Sequence, residues 1–322
     1  MYGLPNNSVH ILHNKIKPIV FALILCFVLT AEITYAQTKR ALVIGLGVQQ
    51  DKAWNKINGD KDVPYVLNML KQAGFKQITT LVNKQATKTA IVTRLKKLAA
   101  TCNKDDVVYI QYSGHGQQMT DVHNDETDGL DECWIPYDAY RKPSPHYHGE
   151  KHLTDDELNV LLHAIRHKIG AKGRMLVVID ACHSGDGTRT NEEEVVRGVT
   201  DTFKVTGEQV RGWVETLEWM KTALKAYRNH EAVVNPKAVP LHEPWITLSA
   251  CKSYQVNYEM KSPAMGKLTY ALCQVMKSSK RLNNEALLKR MHKWVNTGLL
   301  PQHPILTGED KNKYNITEML SK

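Results

Sequence analysis

Residues 107–116 read VVYIQYSGHG, an apolar run that ends in glycines on both sides of one histidine. Residues 175–185 read MLVVIDACHSG, a second apolar run, which ends with a cysteine and a glycine. Apolar runs of this length are typical of strands buried on both faces, as in a parallel sheet. Each run therefore predicts a central strand that places reactive side chains just beyond its carboxyl end.

Segments with helical periodicity separate the predicted strands. Val63, Val66 and Leu70 lie on one apolar stripe, and Thr154 with Glu157 forms a capping box at the start of another helix. The apolar pattern predicts further strands at 41–44, 77–82 and 245–250. Because strand and helix alternate up to residue 179, we predict an α/β protein with an open, mostly parallel sheet of about six strands and helices on both faces.

The composition excludes several classes of protein. The chain has 322 residues, of which 42% are hydrophobic and 23% are charged, too long and too apolar for a disordered tail or a disulfide-held miniprotein. The formal net charge is +9, but acidic and basic residues are interleaved along the sequence. Nucleic-acid binding usually gathers basic residues in one arm or stripe, so no nucleic-acid partner is expected.

The first 36 residues have the pattern of a secretory signal peptide. Lys15 and Lys17 precede an apolar run at 19–29, and residues 34–36 (TYA) offer a cleavage site after Ala36. The run is shorter than the roughly 20 residues that cross a bilayer as a helix, so no stable membrane anchor is expected. We predict an exported protein, periplasmic or extracellular, whose mature part comprises residues 37–322.

The mature part keeps five cysteines, so at least one thiol stays unpaired. Cys182 follows one central strand and His115 follows the other, and ligands of open α/β sheets bind beyond the carboxyl ends of the strands. A neighbouring imidazole would generate the thiolate, which is the attacking form of cysteine. The backbone N–H groups of Gly116 and Cys182 could bind the oxygen of a tetrahedral intermediate. The pattern predicts a cysteine nucleophile with a histidine base.

The motifs around these residues resemble the metacaspase branch of the caspase-like cysteine peptidases. The matching residues are 112–116 (YSGHG), 128–138 (DGLDECWIPYD), 180–185 (DACHSG), Asn58, Gly59, Asp62, 249–251 (SAC), Gln255, Glu259, Gly266, Thr269 and 302–304 (QHP). Caspases carry Gln-Ala-Cys at the nucleophile, whereas this chain has Asp180 in the Gln position. The resemblance implies a caspase-like three-layer sandwich with a large portion at 37–185, a linker or insertion at 186–240 and a small portion at 241–322.

The resemblance also implies an endopeptidase acting on peptides or proteins, in which Cys182 attacks, His115 moves the proton and a thioester forms. It implies a specificity pocket for Arg or Lys before the scissile bond, built from Asp62, Ser113 and Asp180. Carboxylates in a partly dry pocket attract a cation and repel acids, which agrees with that specificity. In a purely structural interpretation, Asp62 is a helix N-cap and Asp180 is a turn residue at a strand end.

A second group of acids could hold calcium. The ligand positions of calcium-activated metacaspases resemble Asp131, Asp155 and Asp156, beside the acidic stretch 125–132. Arg189 stands where a fourth acid is expected. The helix dipole alone would also favour Asp155 and Asp156 in the first turn of a helix. We therefore expect the protein to require no cofactor, and the sequence does not decide whether calcium activates it.

The linker contains Arg189, Arg197, Lys204 and Arg211. An enzyme that cuts after basic residues could cut itself there, or the linker could be an uncut insertion that covers the active site. Two other interpretations of the chain remain, a non-catalytic caspase-like binding or scaffold module and a clostripain-like or gingipain-like peptidase. The retained histidine and cysteine argue against the first, and the 128–138 motif argues against the second. The oligomeric state is left open, with a monomer favoured.

Overall fold

The computed structural model describes residues 37–121, 128–182, 195–206, 243–278, 281–297 and 301–322. The predicted signal peptide lies outside these residues. Most of the predicted linker also lies outside them, including Arg189 and Arg211. The acidic positions 125–127 lie outside them too. The proposed division of the chain into signal peptide, large portion, linker and small portion therefore stays a prediction.

Six strands form the central sheet. They are β1 (Lys39–Gly45), β2 (Gln77–Val82), β3 (Val107–Ser113), β7 (Arg174–Asp180), β8 (Ile246–Ser249) and β11 (Ile305–Thr307). Their order across the sheet is β11-β8-β7-β3-β1-β2. All pairs are parallel except β11 with β8, which is antiparallel at one edge. The predicted α/β class with a mostly parallel sheet of six strands is confirmed.

Helices cover both faces of this sheet. They are α1 (Gly59–Gln72), α2 (Lys88–Thr101), α3 (Asp155–Ile169), α4 (Lys267–Ser278), α5 (Asn284–Val295) and the short α6 (Ile316–Met319). Apolar residues of α1, α4, α5 and α6 pack on one face, and those of α2 and α3 pack on the other. Successive strand residues point to opposite faces, so Tyr109 joins the first core while Val108 and Ile110 join the second. The result is the expected three-layer sandwich.

Local sequence signals set the ends of α3 as predicted. The hydroxyl of Thr154 accepts a hydrogen bond from the Glu157 N–H at 3.3 Å, and the Glu157 carboxylate accepts one from the Thr154 N–H at 3.3 Å. This capping box satisfies two N–H groups that the first turn leaves without partners. Gly170 follows the helix with φ of 65°, in the left-handed region that favours glycine.

Two small sheets lie outside the central one. The first is antiparallel and contains β4 (Gly116–Thr120), β5 (Leu130–Trp134) and β6 (Leu153–Thr154). The second is a hairpin of β9 (Glu259–Lys261) and β10 (Ala264–Gly266). Because β4 begins three residues after β3 ends, the first small sheet is attached to the carboxyl edge of the central sheet. The hairpin supplies Glu259 and Gly266 to the candidate active site.

Within the described ranges, no helix combines the length and the apolar character needed to cross a membrane. The five cysteines of the predicted mature part, Cys102, Cys133, Cys182, Cys251 and Cys273, are all buried free thiols.

We expect the centre of the sheet to tolerate volume loss poorly. Ile110 lies in the middle of β3 and is fully buried. Ile110→Ala should lower the free energy of unfolding by about 2–5 kcal/mol, because the neighbouring strands and helices cannot collapse into the cavity. Ile110→Val, the matched control, should lose only about 0.5–1.5 kcal/mol. Urea denaturation of the full chain measures both, and equal losses would contradict this account of the core.

Candidate active site

The register of the two central strands brings the predicted histidine and cysteine to one place. Ser113 of β3 pairs with Asp180 of β7, and His115 and Cys182 each follow two residues later. The N–H of Gly114 donates to the Asp180 carbonyl at 3.3 Å, which keeps the two chain segments together beyond the strand ends. Parallel strands end at the same edge of a sheet, so the 67 residues that separate the two side chains in sequence do not separate them in space.

One hydrogen bond decides which nitrogen of His115 can act as a base. The ring is buried, and Nε2 lies 2.8 Å from the carbonyl oxygen of Asn55. A carbonyl only accepts, so Nε2 must carry the hydrogen and the neutral ring keeps its lone pair on Nδ1. Nδ1 is buried without a hydrogen-bond partner among the described residues. The indole of Trp54 stacks beside the ring, with centroids 5.0 Å apart.

The surroundings of His115 keep it neutral. Burial, opposed by the Asn55 hydrogen bond and reinforced by the charges of Arg197 and Arg141, lowers the pKa of the imidazole from 6.5 to about 4. At neutral pH the ring is therefore a proton acceptor at Nδ1.

The thiol of Cys182 is held by a backbone carbonyl. Its Sγ donates to the carbonyl oxygen of Gln255 at 3.1 Å, and Sγ of Cys251 donates to the same oxygen at 3.2 Å. The Gln255 side chain is fixed in turn, because its Oε1 accepts from the His303 N–H at 3.1 Å. A hydrogen bond to Cys182, together with burial, raises the pKa of the Cys251 thiol, so Cys251 stays protonated. The motif residues 251, 255 and 303 thus form a connected set of hydrogen bonds around the Cys182 thiol.

Three carboxylates meet in a buried pocket beside Cys182. Asp62 comes from α1, Asp180 from the end of β7 and Glu259 from the start of β9. They surround the guanidinium of Arg197, whose side chain is 0% exposed. Nη1 and Nη2 of Arg197 lie 2.5 and 3.1 Å from the two oxygens of Asp62, and Nε lies 2.8 Å from Oε1 of Glu259. Nη1 is also 3.3 Å from Oδ1 of Asp180.

Neutral donors complete the pocket. Thr269 donates to Oδ2 of Asp180 from its N–H at 2.9 Å and from its hydroxyl at 2.6 Å. The Gly266 N–H donates to Oδ1 of Asp62 at 2.9 Å, and the Asn257 amide donates to Oδ1 of Asp180 at 2.8 Å. A Cβ on Gly266 would lie 2.5 Å from Nη1 of Arg197, so only glycine lets the hairpin approach the guanidinium.

The electrostatics of this pocket favour a cation. Burial raises the pKa of Asp62 against the opposing charge of Arg197, with Asp180 adding to the rise. Burial also works against the charge on Arg197, yet the carboxylates of Asp180 and Asp62 hold its pKa above the ordinary value. A neutral or acidic side chain here would leave buried carboxylates uncompensated, which is costly.

The backbone around Arg197 is held by hydrogen bonds to two neighbouring segments. Its carbonyl oxygen accepts a 2.7 Å hydrogen bond from the Cys182 N–H, and its own N–H donates to the Asn257 carbonyl at 3.0 Å. Val196 pairs antiparallel with Tyr258. The Cys182 N–H thus binds a carbonyl oxygen in this structure, and its role as an oxyanion donor stays a prediction. Gly116 begins β4 opposite Trp134, and its role as a second donor stays a prediction.

Two of the predicted pocket residues, Asp62 and Ser113, differ in how they reach the acid pocket. Asp62 is inside the first turn of α1, whose N-cap is Asn58, so the interpretation of Asp62 as the N-cap is wrong. Ser113 accepts a 3.0 Å hydrogen bond from Gln111, whose amide also donates to Thr269. Ser113 is thus connected to the acid pocket through Gln111, and its contact with a substrate stays a prediction.

The proposed calcium ligands do not form a recognisable metal cluster. Asp131 is buried in β5, while Asp155 and Asp156 are in the first turn of α3. Among the described residues, no group of three or more His, Cys, Asp or Glu side chains has the arrangement that holds a metal ion. Residues 122–127 lie outside the described residues. Activation by calcium stays a prediction.

Sequence reasoning missed three parts of the site. Glu259 was recognised only as a motif residue, and Arg197 only as one of four basic residues in the linker. The carbonyl of Asn55 could not be found, because any residue has one. The charges of the motif residues offer one signal. Three of these residues, Asp62, Asp180 and Glu259, are acids, and acids that are buried together need a cation.

Comparison with known proteins gives one family. The model of the caspase domain family matches residues 38–321. A metacaspase-1 of Schizosaccharomyces pombe is 26% identical over 302 residues, covering 83% of this chain and 68% of that protein. The chain covers between 31% and 63% of the length of three further metacaspase-1 proteins.

Solved structures agree on the fold. A crystal structure of protein GSU0716 from Geobacter sulfurreducens has a TM-score of 0.56 and 25% identity, covering 84% of this chain and 94% of that one. Caspase-1 from Spodoptera frugiperda has a TM-score of 0.53 and 13% identity, covering 84% and 86%. The second likeness concerns the fold alone.

The tautomer and pKa of His115 can be tested directly. In ¹⁵N-histidine NMR spectra, His115 should be the neutral Nε2–H form at pH 7 and titrate near pH 4, because burial disfavours the charged ring. A folded pKa below the unfolded value contributes stability above about pH 6.5 that is lost as the pH falls toward 4. Cys182→Ala serves as the sample, since it removes the nearby thiol, and His115→Gln assigns the signal. Titration near 6.5 would contradict the buried geometry.

Proposed function

Because the chain belongs to the caspase domain family of cysteine peptidases, we propose that it is an endopeptidase that cuts after arginine or lysine through His115 and Cys182. The observation that supports this most is Arg197, whose guanidinium fills the acid pocket while its carbonyl oxygen meets the Cys182 N–H. A substrate arginine or lysine would take the same place, and its carbonyl carbon would be presented to Sγ of Cys182.

The proposed reaction assigns one role to each group of the site. Nδ1 of His115 takes the thiol proton, and Sγ of Cys182 attacks the carbonyl carbon. The Cys182 N–H stabilises the developing oxyanion, since its hydrogen bond at 2.7 Å is directed at that oxygen. The imidazolium then protonates the leaving amine, the thioester forms, and water releases the carboxylate product. The buried, neutral imidazole suits the first step, because it is unprotonated at physiological pH.

Further parts of the proposal rest on sequence patterns. The signal-peptide pattern of residues 1–36 supports export, and peptides or proteins with Arg or Lys before the scissile bond are the proposed substrates. The linker supports self-processing at one of its basic residues. Retention of the histidine, the cysteine and a complete acid pocket argues against a non-catalytic scaffold.

The first test is peptide hydrolysis by the full chain. Fluorogenic peptides ending in Arg or Lys should be cleaved and those ending in Asp should not, because the pocket carries three carboxylates. Cys182→Ala should abolish turnover. Cys102→Ala is the matched control. It removes another buried thiol, which is distant from Cys182 in sequence, and should leave the rate unchanged. Each assay is run with calcium and with a chelator, so that calcium activation is measured in the same experiment. Cleavage after Asp, or activity in Cys182→Ala, would overturn the proposal.

The acid pocket predicts a specific loss of affinity for arginine. Glu259→Gln removes one charge-assisted hydrogen bond, and the Asn58 amide that now faces Glu259 can rotate to accept from the new amide. We expect kcat/KM for Arg peptides to fall roughly 10- to 100-fold, as loss of such a bond costs about 1.5–3 kcal/mol. Glu285→Gln, at the exposed start of α5, is the matched control. An unchanged kcat/KM in Glu259→Gln would exclude Glu259 from substrate binding.

A further inference from the structure

We propose that Cys182 and Cys251 are a modification site at which a peroxide forms a reversible disulfide, and that this bond switches the nucleophile off. The inference goes beyond the proposed function, because the disulfide forms whether or not the chain cuts peptides after arginine. It also gives a chemical role to Cys251, the last residue of the motif 249–251 (SAC), which the proposed reaction does not use.

Two neighbouring strands bring these cysteines together. β7 and β8 are parallel, and their last paired residues are Ile179 and Ser249. The Ala250 N–H donates to the Ile179 carbonyl at 3.0 Å, so the two segments stay adjacent beyond the strand ends. Cys182 lies three residues after Ile179, and Cys251 lies two residues after Ser249. Neighbouring strands are about 4.8 Å apart, which is within the range of about 4.4–6.8 Å between the Cα atoms of a disulfide.

The two thiols are already in contact. Sγ of Cys182 and Sγ of Cys251 lie 3.1 and 3.2 Å from one shared acceptor, the carbonyl oxygen of Gln255. The thiols are also hydrogen-bonded to each other. Because a thiol is a weak donor, giving up these hydrogen bonds costs little against the covalent bond gained. The side chains keep small exposed fractions, 4% for Cys182 and 8% for Cys251, which suits a reactant as small as a peroxide.

The other cysteines of the described residues have different surroundings. Cys102 follows α2, Cys133 is in β5 and Cys273 is in α4. Burial raises the pKa of Cys102 to about 11 and that of Cys273 to about 12, and it also raises the pKa of Cys133. These thiols stay protonated and react slowly with oxidants. Cys182 differs because it shares the carboxyl edge of the sheet with His115, the proposed base, so we expect it to be oxidised first.

The oxidation consumes one peroxide and releases two waters. Sγ of Cys182 loses its proton and bonds to one peroxide oxygen, which gives a sulfenic acid, and the other oxygen leaves as water with that proton. Sγ of Cys251 then attacks the sulfur of Cys182, and the departing hydroxyl takes the Cys251 proton and leaves as the second water. The two thiols lose two electrons, which the peroxide gains. A sulfur held in a disulfide cannot attack a carbonyl carbon, so hydrolysis stops.

The state of Cys251 favours the second step. In the reduced protein the hydrogen bond to Cys182, burial and the negative charge of Cys182 raise the pKa of the Cys251 thiol. A sulfenic acid carries no charge, so one cause of this rise disappears when Cys182 is oxidised. Attack by Cys251 competes with further oxidation to a sulfinic acid, which a dithiol cannot reduce. The disulfide, in contrast, is reduced by a dithiol through thiol–disulfide exchange, and the dithiol is oxidised in its place.

The test uses the full chain, reduced with dithiothreitol and then freed of it. The protein is treated with hydrogen peroxide, remaining thiols are blocked with N-ethylmaleimide, and a non-reducing tryptic digest is mapped by mass spectrometry. We expect a linked pair of peptides that contain Cys182 and Cys251, and two fewer blocked thiols. Hydrolysis of an Arg peptide should fall in proportion to the linked fraction and return to its starting rate after dithiothreitol.

Two variants separate the disulfide from oxidation of Cys182 alone. Cys251→Ser keeps a donor for the Gln255 carbonyl but cannot form the disulfide. Peroxide should therefore convert Cys182 to a sulfinic acid in this variant, and dithiothreitol should not restore the lost hydrolysis. Cys273→Ala, the matched control, removes a buried thiol of α4 and should be linked and restored as the unaltered chain is. Each rate is compared with that of the same variant before peroxide.

Several outcomes would overturn the inference. These are a sulfinic acid at Cys182 in the unaltered chain, a disulfide from Cys182 to a cysteine other than Cys251, and two thiols that the maleimide still blocks after peroxide. Undiminished hydrolysis by a fully linked chain would overturn the role of the disulfide as a switch. Linked peptides from a chain that hydrolyses no Arg peptide would support the disulfide and contradict the proposed function, so the two failures are distinguished.

Discussion

The site depends on the ion pairs that the guanidinium of Arg197 makes with three carboxylates. The guanidinium is fully buried among Asp62, Asp180 and Glu259, which come from a helix, a central strand and a hairpin. Buried charges are tolerated only when they are paired and hydrogen-bonded, so each of these elements is constrained to one position relative to the others. The N–H groups of Gly266 and Thr269 add a second hairpin strand and the start of α4 to the same cluster.

The central sheet explains why such a cluster can exist beside a nucleophile. Parallel strands deliver their following loops to one edge, and the pairing of Ser113 with Asp180 sets the relative height of His115 and Cys182. Asp180 therefore links the pocket to Cys182. Its side chain completes the acid pocket, and the backbone continues from it directly to Cys182. In the proposed reaction, cation binding and attack are coupled because Cys182 follows Asp180 by only two residues.

The state of the site also follows from burial. His115 is kept neutral, and the hydrogen bond to the Asn55 carbonyl leaves Nδ1 as the base. Arg197 satisfies an acid pocket that would otherwise hold uncompensated charge.

The sequence by itself determined the α/β class, the strands that carry His115 and Cys182, and the capping of α3, because these depend on local periodicity and on residues close in the chain. It also indicated Asp62 and Asp180 through a resemblance. Only the tertiary structure decided that Glu259 joins them, that Asn55 sets the histidine tautomer, and which linker arginine enters the pocket. These contacts join residues as many as 201 positions apart, and such pairing depends on how whole elements pack rather than on any local pattern.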